Sequence, residues 1–563
     1  MARRIVIVGG VAAGPKAAAR ARRLDPEAEI TLVEKGSLLS YAGCGLPFHI
    51  AGLVRDAEEL MRTPSGTLRD VAFFRAVKDV KVLTRTLAER IDRERKELAI
   101  VELETGERRR LPYDKLVLAT GSNPIVPPVE GLDLGNVFRV GHPSDSVAIR
   151  DALDSDDVER VAVIGGGLIG LEVADALANQ GLDVSILEMR DQLLPGLLDP
   201  DMAALLAKHL RGRGVDLRLG AAVNGLRGDA HHSFSGAVTD QGVVEADIAI
   251  LAIGVRPNVT LAADAGLELG ETGAIAVDEF LRTSDPDIYA GGDCVENVHV
   301  VTGKPVYIPL GSTANKHGRI IGDNVTGGRE RFPGVAGTTV LKTFGFNVAR
   351  TGLTEQAARE AGYVVLASVA SSSDCAHYYP ANKMVTVKLI ADAESRRLLG
   401  AQAVGMGETV KRIDVAATAI AFGATLEELA NLDLGYAPPY STAIDVLAHA
   451  ANVGRNKLAG IARSISPLDV KRKLEAGDDF VLLDVRSPKE FERERIGDPR
   501  ARLIPLEELR ERVGELPRGR EIVTYCRLSL RGYEAARILE AAGFSEVRFM
   551  DGGLVAWPYE TES

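Results

Sequence analysis

Val161-Ala162-Val163-Ile164-Gly165-Gly166-Gly167-Leu168-Ile169-Gly170 reads as a short apolar strand, a glycine turn and the first turn of a helix. The helical pattern runs to Asn179, and a further strand, Val184–Leu187, ends in Glu188, eighteen residues past Gly170. A strand, turn, helix and strand at this spacing form the context that a dinucleotide fingerprint needs. Glycines permit the tight turn and close helix packing. A pyrophosphate then sits against N–H groups at the helix N-terminus, and the acid accepts hydrogen bonds from a ribose. Gly165, Gly167, Leu168, Ile169, Gly170 and Glu188 are therefore candidate nucleotide contacts. Glu188 repels a 2′-phosphate and so favours NADH, while Arg190 softens that preference and leaves NADPH possible.

The same unit stands at the start of the chain. The strand Ile5–Val8 leads into Gly9-Gly10-Val11-Ala12-Ala13-Gly14, an alanine-rich helix runs to Arg23, and Ile30–Val33 ends in Glu34. Val11 replaces the usual middle glycine. Gly9, Gly10, Ala13, Gly14, Glu34 and Lys35 make the second set of candidate contacts. An ordinary dehydrogenase needs one such fold, so two in one chain narrow the reading sharply. Three more strand-like runs, Leu116–Gly121, Ile248–Gly254 and Ile288–Asp293, add Ala119, Thr120, Gly121, Gly254 and Asp293 to the candidates. Residues 330–450 mix strands such as Met384–Ile390 with helices such as Lys411–Phe422. A junction at 452–466 precedes Ser466-Pro467 and a small α/β unit built on Val481–Val485, Ile522–Tyr525 and a helix from Ser529.

The chain has 563 residues, of which 46 % are apolar, and a net charge of −12. At roughly 100–200 residues per domain it holds three to five domains. The negative balance argues against nucleic acid as a partner, and the Arg108-Arg109-Arg110 run reads as a solvated turn. Four distant cysteines, Cys44, Cys294, Cys375 and Cys526, show neither CxxC nor zinc spacing, so neither a metal site nor a disulfide scaffold is expected. That usage, an apolar strand starting directly after Arg3-Arg4 in place of a leader, and the lack of any apolar run near the roughly 18 residues of a membrane span predict a cytoplasmic protein without a membrane partner.

The two nucleotide folds with Ala119-Thr120-Gly121 and Gly292-Asp293 resemble the pyridine nucleotide–disulfide oxidoreductase family over residues 1 to about 450. The resemblance implies FAD in the first fold with Asp293 at its ribityl chain, NAD(P)H in the second, and a third domain that forms a homodimer interface. Ser40-Tyr41-Ala42-Gly43-Cys44-Gly45-Leu46-Pro47 is similar to the single-cysteine branch, which includes coenzyme A disulfide reductases, NADH oxidases and NADH peroxidases. Many relatives carry a C-x4-C pair here, but position 49 is His49. A lone thiol cycles as a mixed disulfide, a persulfide or a sulfenic acid. Tyr378 and Tyr436 match the pair that coenzyme A disulfide reductases bring to the thiol from the partner subunit, and Lys16, Arg20, Arg23, Ser40 and Lys78 fall where that subfamily contacts coenzyme A. Gly43 departs from the Asn usual before the cysteine. Cys294 reads as a packed small residue.

Asp484-Val485-Arg486, Ile504-Pro505, Tyr525-Cys526 and Asp551-Gly552-Gly553 resemble the rhodanese family over 466–558. Four residues separate Cys526 from Arg531, one fewer than a phosphatase loop needs around a tetrahedral phosphate, and this suits a persulfide. Ser529 stands where a glycine is usual.

The expected fold is thus α/β with two Rossmann-like dinucleotide-binding domains, an α+β dimerisation domain and a C-terminal rhodanese-like α/β domain. The expected limits are 1–115 with 280–328 for FAD, 116–279 for NAD(P)H, 329–452 for dimerisation and 466–563 for the rhodanese. The expected activity is NADH-dependent reduction of S–S bonds in coenzyme A persulfide, polysulfide or coenzyme A disulfide through Cys44, with Cys526 carrying sulfur in the last domain and Arg531 a further catalytic candidate there. The competing readings are an NADH oxidase or peroxidase working through a sulfenic acid and a non-enzymatic redox or sulfur sensor.

Overall fold

Alternation of short apolar strands with alanine- and leucine-rich helices builds parallel sheets buried on both faces. The computed structural model describes residues 2–154 and 158–563. These form two units, Met1–Met189 with Ala221–Val335, and Arg190–Gly220 with Ala336–Ser563.

The first unit holds both nucleotide folds. One parallel sheet runs Ile288–Ala290, Lys115–Leu118, Arg4–Val8, Glu29–Val33, Lys81–Leu83 in spatial order. In the other, Asp183–Glu188, Arg160–Ile164, Ile248–Leu251 and Val137–Arg139 are successive parallel neighbours. Ile5, Ile7, Leu32 and Val117 are fully buried in the first core, and Ala162, Val163 and Ile250 in the second. The helix Ala13–Leu24 packs on the helix Gly311–Val325, where a Cβ at Gly318 would lie 2.4 Å from the Ala13 carbonyl oxygen.

Three expected strands stop short. The sheets end at Leu118, Leu251 and Ala290: Ala119 and Ala252 leave to meet the glycine turns at Gly9 and Gly165, and Gly292 turns to His317. The triple-arginine run is also corrected. It is the strand Arg108–Pro112, paired antiparallel with Glu97–Glu102 and held by ion pairs of Arg108 to Glu89 and Arg110 to Glu97. Cross-strand opposite charges stabilise an exposed strand that composition alone reads as a turn.

The second unit contains an antiparallel sheet in the order Thr339–Thr343, Phe346–Gly352, Leu398–Gly405, Met384–Asp392, Val365–Ser373, covered by the helices Val410–Ala421 and Val446–Leu458. Its C-terminal part is a parallel sheet in the order Ser464–Ile465, Val547–Met550, Glu521–Tyr525, Phe480–Asp484, Ala501–Leu503. Among the described residues no helix is long and apolar enough to cross a membrane.

Candidate active site: two thiols and two glycine turns

The two glycine turns are built alike. Gly9 has φ +108°, and a Cβ there would lie 2.0 Å from the Ala119 carbonyl oxygen. Gly165 has φ +115°, and its Cβ would lie 2.4 Å from the Ala252 carbonyl oxygen. At the sixth position of each motif, inside the first turn of the helix, Cβ atoms on Gly14 and Gly170 would stand 1.9 and 2.0 Å from the carbonyl oxygens of Gly9 and Gly165. The acids belong to the same device: Gly10 N–H donates to Glu34 at 2.6 Å and Gly166 N–H to Glu188 at 2.7 Å. Each carboxylate thus fastens its own turn while keeping acceptor capacity for a ribose. Ala252 is the counterpart of Ala119, a correspondence visible only in the fold. These cradles, which any side chain would fill, fit two dinucleotides. Gly170→Ala is expected to weaken NADH binding roughly tenfold or more, since the turn must open by more than 1 Å. Fluorescence titration of the folded variant with NADH checks this, and unchanged affinity would remove the second turn from the site.

Cys44 lies in the short turn Gly43–Gly45 that leads into the helix Leu46–Ile50, and the residue is exposed. Its sulfur stands 4.0 Å from the point where a Cβ of Gly311 would be. Gly311 begins a 15-residue helix, so the thiol sits at a helix N-terminus that favours a thiolate. Opposing this, local desolvation, then Glu172 and Asp293, push the Cys44 thiol up. Desolvation likewise raises the Glu172 carboxyl to about 7. In this unit the other cysteine, Cys294, is fully buried, with its sulfur 3.4 and 3.6 Å from the carbonyls of Gly291 and Leu118. A Cβ added at Gly43 meets nothing within 4 Å, so the space an Asn side chain would take is open.

Asp293 follows two glycines whose conformation is held by His317: Gly292 N–H donates to its Nδ1 at 3.1 Å. His317 is fully buried, and burial, helped by Lys316, lowers it to about 4, so it is neutral at physiological pH. Tyr307 O–H donates to the Asp293 carbonyl at 2.9 Å. Thr120 is tied to Asn258 by two hydrogen bonds.

In the second unit Tyr378 and Tyr436 come together although 58 positions separate them. Both are more than half exposed, and the charge of a neighbouring Tyr436 phenolate, then desolvation, raise the Tyr378 phenol. Cys526 follows the strand Glu521–Tyr525 directly and is 2 % exposed. The loop from Cys526 to Arg531 is closed by Ser529, which adopts φ +85° and donates its hydroxyl to the Met550 carbonyl at 3.0 Å. That bond compensates a backbone region that glycine occupies freely. Arg531 grips Glu490 through two bonds of 2.7 and 2.9 Å. Arg531 and the Ser487 cap hold the Glu490 carboxyl down at about 2. Asp484 and Arg486 form a buried pair under the loop.

Residues 3–318 match the pyridine nucleotide-disulphide oxidoreductase family. The chain belongs to this family. Residues 339–448 match the family's dimerisation domain and 466–559 the rhodanese-like domain. An NAD(P)H sulfur oxidoreductase (CoA-dependent) of Pyrococcus abyssi is 37 % identical over 457 residues, spanning 80 % of this chain and 97 % of its own. Among solved structures, an NAD-dependent persulfide reductase from A. fulgidus is 45 % identical with a TM-score of 0.94, covering 98 % of this chain and all of that one. A reduced CoADR-RHD from Bacillus anthracis is 35 % identical with a TM-score of 0.91, over 99 % and 98 % of the two chains.

In this pyridine nucleotide-disulphide oxidoreductase the expected phosphate-binding cations are placed unevenly. Lys16 and Arg23 are exposed on the helix Ala13–Leu24, and Lys78 lies 5.2 Å from the Phe73 ring centre. Arg20 is instead half-buried and directs two nitrogens to Asp323 at 2.7 and 2.8 Å, so its forked face is occupied by a carboxylate. Ser40 receives a hydrogen bond from Arg69 at 3.4 Å. Lys35 is exposed beside Glu34. Sequence reasoning missed Glu172, His317 and Glu490. The first follows the Gly170 turn by two residues and was readable as an acid inside an apolar helix. Glu490 carried the capping-box spacing of Ser487-Pro488-Lys489-Glu490, and His317 had no local signal.

Glu172 sets a pH dependence. A carboxylate beside the thiol disfavours the Cys44 thiolate, so Glu172→Gln is expected to shift the rising limb of turnover against pH towards lower pH. The pH profile of kcat/KM checks this, and an unmoved limb would show that the carboxylate does not sense the thiol.

Proposed function

We propose that this oxidoreductase uses FAD and NADH to reduce S–S bonds of coenzyme A persulfide, polysulfide or coenzyme A disulfide at Cys44, and that Cys526 handles sulfane sulfur. The observation that carries this reading is the lone exposed thiol at the N-terminus of the helix Gly311–Val325, in the unit that contains both glycine cradles. The names of the similar proteins, sulfur oxidoreductase and persulfide reductase, support the acceptor class. Bound FAD would pass electron pairs from the nicotinamide to sulfur. Gly9, Gly10, Gly14, Glu34 and Asp293 would hold it, and Gly165, Gly170 and Glu188 the nicotinamide nucleotide. The expected division into FAD, NAD(P)H, dimerisation and rhodanese segments is retained as part of this proposal.

Cys44 acts as the nucleophile. Its thiolate attacks one sulfur of the acceptor, the acceptor S–S bond breaks, and the leaving sulfur departs as an anion. Cys44 remains as a mixed disulfide, and two electrons then return it to a thiolate. The Tyr378–Tyr436 hydroxyl pair, supplied by the partner subunit of a homodimer, gives the departing sulfur a hydrogen bond or a proton. The test is NADH oxidation by purified, FAD-loaded protein offered coenzyme A persulfide, polysulfide, coenzyme A disulfide or hydrogen peroxide, with sulfide measured. Fast turnover with sulfide release supports the proposal. Turnover with peroxide alone would replace it with a sulfenic acid cycle.

A further inference from the structure

A groove of about 720 Å³ opens beside the Cys526 loop in the second unit. Lys208, Arg213, Arg493 and Arg527 line it, and the one acid among its lining residues is Glu494. This concentration of cations stands out in a chain of net charge −12. Arg213, Arg493 and Arg527 are exposed, and their guanidinium groups have no hydrogen bond or ion pair among the described residues. Lys208 donates to the Trp557 carbonyl at 2.9 Å. The floor is apolar and soft, with Phe346, Met384 and Met406. The far wall belongs to the loop that carries the thiol: Leu554 N–H donates to the Cys526 carbonyl at 2.9 Å, and Val555 N–H to the Arg527 carbonyl at 3.1 Å. Cys526 is therefore the chain neighbour of the lining residue Arg527 and is bonded through its backbone to the lining residue Leu554.

Unpaired guanidinium groups gathered on one rim repel each other until an anion joins them. Forked donors suit phosphate oxygens, and thioether and aromatic side chains suit a flexible apolar arm. The volume is that of a pocket for a nucleotide-sized molecule, well beyond the needs of a small inorganic anion. We propose that the groove is a second docking site, separate from Cys44, for a phosphorylated thiol of nucleotide size, and that this thiol exchanges sulfane sulfur with Cys526. The inference rests on the reading of Cys526 as a sulfur carrier. In the exchange the ligand thiolate attacks the outer sulfur of the Cys526 persulfide. The bond between that sulfur and Sγ breaks, a new S–S bond forms on the ligand, and Cys526 leaves as a thiolate. The sulfane sulfur keeps its oxidation state, and one thiolate and one persulfide anion stand on each side.

The test uses full-length, FAD-loaded protein in a Cys44→Ser background, so that sulfur transfer is read at Cys526 alone. Cys526 is charged from thiosulfate, and transfer is followed to coenzyme A and to pantetheine, which lacks the nucleotide phosphates. The half-saturating concentration of coenzyme A is expected to rise roughly fivefold in Arg213→Gln or Arg493→Gln and roughly twentyfold in the double variant, with pantetheine unaffected. High salt should erode the preference for coenzyme A. Equal transfer to both thiols, indifferent to the arginines, would overturn the proposal, as would an equal loss with both. Absence of transfer to any thiol would overturn it together with the carrier role of Cys526. With Cys44 intact, failure of NADH-driven sulfide release while transfer at Cys526 persists would count against the proposed function and leave this site standing.

Discussion

Cys44→Ser is expected to lower NADH-driven sulfide release by roughly a thousandfold or more, since an alcohol at that position neither ionises near neutral pH nor forms a disulfide with the acceptor. The variant should fold and retain both nucleotides. Cys44 is an exposed residue in a three-residue turn, and serine differs from it by one atom, so the exchange removes reactivity with little change in packing. NADH should still bleach the flavin in a single turnover while multiple turnovers stop. Retention of sulfide release in Cys44→Ser would transfer the chemistry elsewhere, and no other cysteine of the first unit is exposed to take it. The variant removes the sulfenic acid reading equally, because a peroxide reaction also requires the thiol, so the comparison of acceptors separates the two.

Lys388→Met is expected to destabilise the second unit by about 3–5 kcal/mol, the cost of leaving buried charge without its partner. The Lys388 ammonium is 4 % exposed and meets Asp199 at 3.1 Å and Asp201 and Glu355 at 2.9 Å each. These contacts tie the segment Arg190–Gly220 to the antiparallel sheet. Gln402 completes the site by donating to Asp199 at 2.8 Å and accepting its backbone N–H at 2.9 Å. Burial raises the Asp199 carboxyl despite Lys388, whereas for Glu355 the pull of Lys388 and Arg359 outweighs burial and leaves it below its ordinary value. Lys388 itself is raised by the three acids against desolvation, so its contribution is complete below the unfolded lysine value and is lost only in strong alkali. Once the lysine is gone, three carboxylates repel one another. The defect should therefore shrink as pH falls and they take up protons, and Asp201→Asn should recover part of it. Denaturant unfolding of the second unit at two pH values checks both. A loss under 1 kcal/mol, or one independent of pH, would show that water already screens the cluster.

What the sequence by itself determined is local. The two glycine turns are legible because each demand is set by immediate neighbours: a tight turn, a helix start and an acid about twenty positions on. Cys44 and Cys526 are legible for the same reason, each lying in a short stretch bounded by glycines or by a strand end. Composition failed at Arg108–Pro112, where cross-strand glutamates decide the conformation, and at the strand ends after Leu118 and Leu251, where the chain leaves the sheet to meet a glycine turn far away in sequence.

Only the tertiary structure decided the environment of each thiol. Gly311 reaches Cys44 from 267 positions away, and His317 reaches Gly292 from a helix 25 positions on. Asp323 claims the guanidinium of Arg20, which a helix face alone presents as free. Lys388 collects three acids from two distant segments, and the cationic groove gathers residues from positions 208 to 527. Short-range sterics repeat with a fixed period and leave a pattern in the chain. Charge pairing, desolvation and helix dipoles act through space between segments that no period connects, so they exist only once the chain has folded.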